Sequence, residues 1–236
     1  MLFSKILVII SHKYKFIFFK TSKTAGTSME IALSKFCGKN DIITPISRED
    51  EVIRKKLGYP GPQNYEVLLT TTDTRIFKKP QSIVFYNHIS AREIKNWLND
   101  EIWYEYFKFC FERNPYDRII SLYYHYISYL PEKDEKMTLS DFINSDLIFG
   151  LRKWGFDIYT IDKEIVVDQV YLYENLEQEI ENIRLQLNLP EMLLLPKAKG
   201  QYRQDKKTST TTLTKEEIKK ISQLFEKEIQ LFGYTI

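Results

Sequence analysis

Four short apolar runs along the chain predict the strands of a buried β-sheet. Each run is rich in Ile, Val, Phe or Tyr and ends in polar residues; the runs are residues 16–20, 82–88, 106–113 and 166–173. Unbroken apolar runs, rather than strict alternation with polar residues, are typical of strands that are covered on both faces. The pattern therefore predicts a parallel sheet inside the molecule.

Helical periodicity follows the first two runs. Residues 27–37 carry their apolar side chains at helical spacing. Ser90 and Glu93 have the spacing of a capping box, in which a hydroxyl and a carboxylate satisfy the free N–H groups of a helix start. This box predicts a helix over residues 91–98.

The last two runs are followed by the same kind of signal. Asn114 can cap a helix that has Pro115 at its first position, and Asn175 can cap a helix over residues 176–187. Near the C-terminus, Thr214 and Glu217 have the spacing of another capping box. Strands that alternate with helices predict a doubly wound α/β fold with a central parallel sheet flanked by helices, in which ligands bind outside the carboxyl ends of the strands.

Length, charge and cysteine content narrow the class of protein. A chain of 236 residues fits a single domain over residues 1–236, and its net charge of +2 is too low for a general nucleic-acid-binding protein. Cys37 and Cys110 are too few for a disulfide framework or a metal cluster, which predicts reduced thiols and a cytoplasmic protein. The apolar residues 1–10 are too short to span a membrane, so we expect a strand there and no transmembrane segment.

The segment after the first apolar run has the composition of an anion-binding loop. Residues 20–28 read KTSKTAGTS and combine two lysines, several hydroxyl groups and Gly26 just before a predicted helix. A helix start offers free backbone N–H groups with a partial positive charge, and a glycine allows a ligand to approach the backbone closely. The loop is not a Walker A motif, because Lys23 precedes the glycine. On these residues alone, an anion cradle and a solvated turn both remain open.

The order KTAGTS over residues 23–28, directly after an apolar run, resembles the 5′-phosphosulfate loop of sulfotransferases. It is most similar to the carbohydrate-type (family 2-like) branch, whose loop reads roughly P-K-T-A/G-G-T-S/T; Ser22 stands where that branch usually has proline. The resemblance implies a P-loop NTPase-like three-layer α/β fold and the sulfuryl donor 3′-phosphoadenosine 5′-phosphosulfate (PAPS). It implies that Lys23 is also catalytic, and that the 5′-phosphate is held by Lys23, Thr24, Ala25, Gly26, Thr27 and Ser28.

A second match begins where the third apolar run ends. Residues 113–121 read RNPYDRIIS and resemble the 3′-phosphate motif of the same family, R-N/D-P-x-D/E-R-x-x-S. The resemblance implies that Arg113 and Ser121 hold the 3′-phosphate, and a guanidinium can grip a phosphate with two parallel hydrogen bonds. Taken without the resemblance, the segment also fits a well-capped helix with a surface arginine.

Two further segments are similar to elements of these enzymes. Residues 173–176 resemble the Y-E-N/D-L element that ends a later strand, and we expect a structural role for them. The basic residues 197–203 resemble a loop of the cytosolic branch that closes over the 3′-phosphate and adenine. The resemblance implies donor contacts from Lys199 and Arg203, with a solvated basic loop as the alternative.

His88 is the predicted general base. It ends the second apolar run just before a capped helix, which would place it at the same sheet edge as Lys23 and Arg113. The amino end of that helix disfavours an imidazolium ion, and a neutral imidazole is what a general base requires. Sulfotransferases commonly place their catalytic histidine after the equivalent strand. A structural histidine is the alternative, with Glu93 or Glu112 then serving as base.

The expected acceptor is a small molecule or glycan. Residues 44–80 and 131–160 separate the framework segments and are natural acceptor-binding insertions, in which Trp154 can stack on a sugar ring. The resemblance implies transfer to the hydroxyl group of a carbohydrate or glycolipid. The sequence offers no His/Cys cluster for a metal, so we expect none to be required, and we expect neither a nucleic acid partner nor a membrane anchor. The alternatives are a P-loop-type small-molecule kinase that uses ATP and Mg²⁺, and an inactive module that senses the product 3′-phosphoadenosine 5′-phosphate (PAP).

Overall fold

The computed structural model describes residues 8–71, 73–86, 88–130, 137–196 and 210–236. The strands in these ranges are β1 (Val8–Ser11), β2 (Phe16–Phe19), β3 (Ile42–Ile43), β4 (Glu66–Val67), β5 (Ile83–Val84), β6 (Phe107–Glu112), β7 (Thr160–Ile161), β8 (Glu164–Ile165) and β9 (Gln169–Leu172). The α-helices are α1 (Gly26–Ser34), α2 (Arg48–Lys56), α3 (Ala91–Trp97), α4 (Asp100–Glu105), α5 (Pro115–Ile127), α6 (Leu139–Asn144), α7 (Phe149–Lys153), α8 (Leu176–Gln186), α9 (Lys215–Leu224) and α10 (Glu226–Phe232).

The central sheet is mixed and has the strand order β3-β1-β2-β6-β9. β2, β6 and β9 run parallel to one another, whereas β1 is antiparallel to both β2 and β3. The prediction of an all-parallel sheet is therefore wrong for the β1–β3 edge. Only residues 12–15 join β1 to β2, and so short a connection permits an antiparallel pair alone. The strand expected within residues 1–10 is present as β1 from Val8 onward.

The second apolar run is not a strand of the central sheet, and that prediction is wrong. β5 pairs with β4 in a separate two-stranded antiparallel sheet. Ile83 and Phe85 are buried while Val84 and Tyr86 are exposed, so this ribbon packs one face on the core and leaves the other in solvent. A strand that alternates buried and exposed side chains is covered on one face only, so it does not have to lie between two parallel strands of a buried sheet.

The predicted helix starts are mostly confirmed. Both bonds of the capping boxes are present at Ser90 and at Thr214, and the Asn114 side chain accepts a hydrogen bond from the Tyr116 N–H group. Asn175 precedes α8 as expected but makes no side-chain capping bond. It ends a 3₁₀ turn, so the chain already turns helically before α8 begins.

Helices cover both faces of the sheet. Alternate side chains of β1, β2 and β6 point to opposite sides: Phe16, Phe18 and Phe109 pack with α1 and α8, whereas Ile17 and Cys110 pack with α3 and α4. A third apolar cluster joins α5, α6, α7 and α9. The result is a mixed α/β architecture with the sheet flanked by helices. Within the described ranges, no helix has the length and apolar character needed to cross a membrane.

Candidate active site

The loop between β2 and α1 has the backbone shape of an anion cradle. Lys23 and Ala25 have positive φ angles of 66° and 59°, with Thr24 between them outside that region. Backbones that alternate in this way direct successive N–H groups into one concavity. The loop is anchored to the sheet, because the Thr21 hydroxyl donates to the Phe111 carbonyl of β6 and lies 2.8 Å from the Thr24 hydroxyl.

The start of α1 has unsatisfied hydrogen-bond donors. Ala25 occupies the capping position without a side-chain hydrogen bond, and the first turn has no acidic residue. Thr27 and Ser28, both in this first turn, are buried residues that carry hydroxyl groups. The first N–H groups of a helix have no partner within the helix. Free donors at the positive end of a helix fit a phosphate or sulfate group.

A buried lysine, Lys20, lies beside this helix start. Its Nζ donates to the Thr27 hydroxyl over 2.8 Å and lies 3.6 Å from a carboxylate oxygen of Glu30. Glu30 is also paired with Arg54 at 3.1 Å. Burial raises the pKa of Glu30 to about 7, although the charges of Lys20 and Arg54 act in the opposite direction. Gly26 leaves space for the lysine, because a Cβ atom there would lie 2.5 Å from the Cγ of Lys20.

The two segments that resemble phosphate motifs are in direct contact. Arg113, at the end of β6, is buried and donates from Nη1 to the carbonyl of Lys23 over 2.9 Å. Its Nε donates to Asp117 over 2.9 Å, and Nη2 contacts the same carboxylate. Among the described residues, these contacts occupy three of its five N–H groups and leave two uncommitted. Ser121 lies one helical turn beyond Asp117 along α5. Burial excludes the alternative of an ordinary surface arginine.

The Y-E-N-L element also contributes to this region, more directly than the sequence predicts. The guanidinium of Arg113 lies over the ring of Tyr173, 4.1 Å from its centroid. Glu174 accepts a hydrogen bond from the Asn114 N–H group over 2.7 Å. Tyr173 was expected to be only structural. Its position directly after the strand next to β6 is the signal that could have identified it as a support for Arg113.

His88 reaches the site from a loop and not from a strand of the central sheet. The prediction that His88 ends a strand of the central sheet is therefore wrong. Its Nδ1 nevertheless lies 2.8 Å from the carbonyl oxygen of Lys20 at the carboxyl end of β2. Its φ angle is 57°, an uncommon conformation that often marks functional residues. The imidazole stacks on Trp154, with centroids 6.0 Å apart and an interplanar angle of 22°.

The alternative base Glu112 is part of a buried structural network. Its carboxylate accepts hydrogen bonds from the Arg113 N–H group at 3.0 Å, from Arg118 at 2.5 Å and from the Tyr159 hydroxyl at 2.8 Å. Arg118 also donates to the carbonyl of Ser22 over 2.8 Å. Through Arg118, this network holds the loop between β2 and α1. The Glu112 carboxylate faces protein donors instead of an open site.

Glu93, the other alternative base, is engaged at its helix start. Its carboxylate accepts hydrogen bonds from the Ser90 hydroxyl at 2.8 Å and from Tyr86. The predicted donor contacts of Lys199 and Arg203 lie outside the described residues. Among the residues that are described, no group of three or more His, Cys, Asp or Glu side chains is arranged to hold a metal ion; the expectation that none is required stays a prediction.

The amino-acid sequence of this chain was also compared with those of known proteins. Residues 7–235 match the model of a family described as "Sulfotransferase family". A protein of Archaeoglobus fulgidus described as uncharacterized is 31% identical over 103 residues, which cover 42% of this chain and 82% of that protein. No solved structure matches the chain significantly. The family match does not favour the kinase alternative. The chain belongs to the sulfotransferase family and is a PAPS-dependent sulfotransferase by class.

Proposed function

We propose that this protein moves the sulfuryl group of PAPS to an acceptor hydroxyl by in-line displacement, with His88 as general base. The proposed framework is a P-loop NTPase-like three-layer fold. The observation that carries the proposal is the 2.9 Å hydrogen bond from Arg113 to the carbonyl of Lys23, because it joins the two motifs that would hold the two ends of the donor. A site that fixes both ends of a substrate also fixes the reacting group between them.

The 5′-phosphate of the donor would bind at the start of α1. The backbone N–H groups of Ala25, Gly26, Thr27 and Ser28 would supply the cradle, together with the hydroxyls of the last two residues. Thr24 would contribute its N–H group, because its hydroxyl already bonds to Thr21. Lys23 would add a positive charge at the rim, where the loop is partly exposed.

The 3′-phosphate would bind at Arg113. Its two remaining N–H groups and the Ser121 hydroxyl are the proposed donors, with Lys199 and Arg203 as further cationic contacts. Asp117 holds the guanidinium plane from one side and the Tyr173 ring supports its face. A guanidinium that is fixed in this way loses little conformational entropy when a phosphate binds.

The reaction has a simple balance. The acceptor oxygen forms a bond to sulfur while the bond from sulfur to the 5′-phosphate oxygen breaks, and PAP leaves. The acceptor proton passes to His88. Because the Lys20 carbonyl can only accept a hydrogen bond, Nδ1 is the protonated nitrogen of the neutral ring, and Nε2 is the nitrogen that takes up the proton. Lys23 and the N–H groups at the start of α1 stabilise the negative charge that develops on the leaving oxygen.

The acceptor is proposed to be a carbohydrate or glycolipid hydroxyl. Trp154 is partly exposed and stacks on His88, which puts an aromatic face beside the proposed base. Aromatic faces suit the apolar faces of sugar rings. Residues 44–80 and 131–160 remain the proposed acceptor-binding insertions, and a cytoplasmic location remains part of this proposal.

Calorimetric titration with PAP, and with ATP plus Mg²⁺ in a separate experiment, tests the donor site. We expect PAP to bind without a metal and Arg113→Ala to weaken that binding. Binding of ATP with Mg²⁺ but not of PAP would overturn the proposal and restore the kinase alternative. Binding of PAP without turnover of PAPS against a panel of glycan acceptors would favour the inactive sensor.

A further inference from the structure

Lys20 is a buried cation that neither phosphate motif includes. It follows β2 directly and precedes the matched loop by three residues, yet it is only 8% exposed. Its Nζ donates to the Thr27 hydroxyl over 2.8 Å. Burying an ammonium group is costly unless partners replace its water, so its position calls for a physical explanation.

A chain of charges fixes where the ammonium group lies. Glu30 is fully buried and lies 3.6 Å from Nζ, Arg54 pairs with Glu30 at 3.1 Å, and Glu51 pairs with Arg54 at 3.2 Å. The lysine stem reaches this position by passing over Gly26, where a Cβ atom would approach its Cγ to 2.5 Å. The contact with Glu30 and the space over Gly26 therefore place the Lys20 ammonium group at the start of α1.

We infer that Lys20 is a positioning residue of the donor site: it holds the Thr27 hydroxyl so that the hydroxyl proton is directed to the 5′-phosphate of the donor. An ammonium group has only donors, so the Thr27 oxygen must be the acceptor of their hydrogen bond. The single proton of that hydroxyl then points away from Nζ. Accepting a charged hydrogen bond also polarises the hydroxyl and makes it a stronger donor. This inference rests on the proposed function and adds a residue to it.

A double-mutant cycle on PAP binding tests the inference. Lys20→Met, Thr27→Val and the double variant are titrated with PAP by calorimetry, and thermal unfolding of each is recorded. We expect each single variant to bind PAP about tenfold to 100-fold more weakly, the range for hydrogen bonds to charged groups. The double variant should bind within about threefold of Thr27→Val alone, because the lysine acts through the hydroxyl. Thr27→Ser keeps the hydroxyl and should retain affinity.

Lys15→Met is the matched control, since it removes the same charge from an exposed lysine before the opposite end of β2. It should leave PAP affinity unchanged. If the effects of Lys20→Met and Thr27→Val on the binding free energy simply add, Lys20 does not act through Thr27 and the inference fails. If Lys20→Met does not fold, Lys20→Arg keeps the buried charge but presents a different donor, and it replaces Lys20→Met in the same cycle.

PAP binding by the wild-type protein and by the Lys20 variants separates the role of Lys20 from the proposed function. Wild-type protein that does not bind PAP sinks the proposed function. If the wild type binds PAP and Lys20→Met binds it equally well, only the role of Lys20 is overturned. The same holds if the effects of Lys20→Met and Thr27→Val on the binding free energy add.

Discussion

The Nδ1 atom of His88 lies 2.8 Å from the carbonyl oxygen of Lys20, the residue whose ammonium group contacts Thr27. One residue at the carboxyl end of β2 thus orients the proposed base through its backbone and the start of α1 through its side chain. The proposed base and the proposed donor loop therefore share one anchoring residue, which suits the in-line displacement proposed above.

Replacing His88 should separate its two roles. His88→Asn can still donate a hydrogen bond toward the Lys20 carbonyl and tolerates a positive φ angle, but it cannot take up the proton. We expect its turnover to fall by about 10²–10⁴-fold, the usual size of a general-base contribution, with PAP affinity nearly unchanged. His88→Ala should show the same loss of rate. Steady-state turnover of PAPS and calorimetry with PAP measure the two effects, and a fully active His88→Asn would exclude His88 as the base.

Replacing Arg113 should weaken donor binding more than it changes chemistry. We expect Arg113→Ala to raise the dissociation constant of PAP by about 10–100-fold, because a charge-assisted pair to phosphate is lost. Arg113→Lys should rescue little, since lysine cannot keep the forked contact with Asp117 and a flat face over Tyr173. Arg92→Ala, at an exposed arginine paired with Asp162, is the control and should leave binding unchanged. Equal affinities for wild type and Arg113→Ala would remove Arg113 from the site.

The buried Glu112 network should dominate local stability. Glu112→Ala leaves the fully buried Arg118 without its partner, and we expect a loss of about 3–5 kcal/mol in the free energy of unfolding. Tyr159→Phe removes one hydrogen bond to the same carboxylate and should cost about 1–3 kcal/mol. Urea unfolding followed by circular dichroism measures both. A cost below about 1 kcal/mol for Glu112→Ala, as for an exposed ion pair, would contradict this interpretation.

Glu228 should make the protein less stable as the pH rises. Burial raises its pKa to about 7 from an ordinary value of 4.5, with the nearby charge of Glu112 acting in the same direction. The folded state then binds a proton more tightly than the unfolded chain, so this contribution is complete below about pH 4.5 and is lost as the pH passes through about 7. We expect Glu228→Gln to be more stable than wild type at pH 8 by about 1–3 kcal/mol, and the advantage to shrink at pH 5.5.

Urea unfolding at the two pH values measures this effect of Glu228. Glu164→Gln, at an exposed carboxylate of β8, is the control and should show no such dependence. A stability difference between Glu228→Gln and wild type that stays constant between pH 5.5 and 8 would contradict the assignment.

Both cysteines should be unreactive in the folded protein. Cys37 and Cys110 are buried free thiols, and burial raises the pKa of each, which suppresses the reactive thiolate. We expect a thiol reagent to modify neither residue under native conditions and to modify both in concentrated urea. Rapid native labelling of either residue would show that its surroundings open easily.

Features that depend on neighbours a few residues apart were predictable from the amino-acid sequence. The helix starts at Ser90, Asn114 and Thr214 were predictable because a capping side chain and the N–H group it binds are within three residues of each other. The two segments that resemble phosphate motifs were also recognisable, because each is a short run of consecutive residues. These local signals were enough to indicate the family.

Contacts between distant segments could be seen only in the folded chain. The run that contains β5 has the composition of a buried strand, but its pairing with β4 and its one exposed face depend on contacts across the chain. Likewise, His88 contacts Lys20 across 68 residues, and Arg118 contacts Ser22 across 96. The energy of such contacts comes from burial and from long-range hydrogen bonds, which leave no periodic signal in the sequence. For that reason the sequence could supply candidate site residues, while only the folded chain shows which distant segments hold them in place.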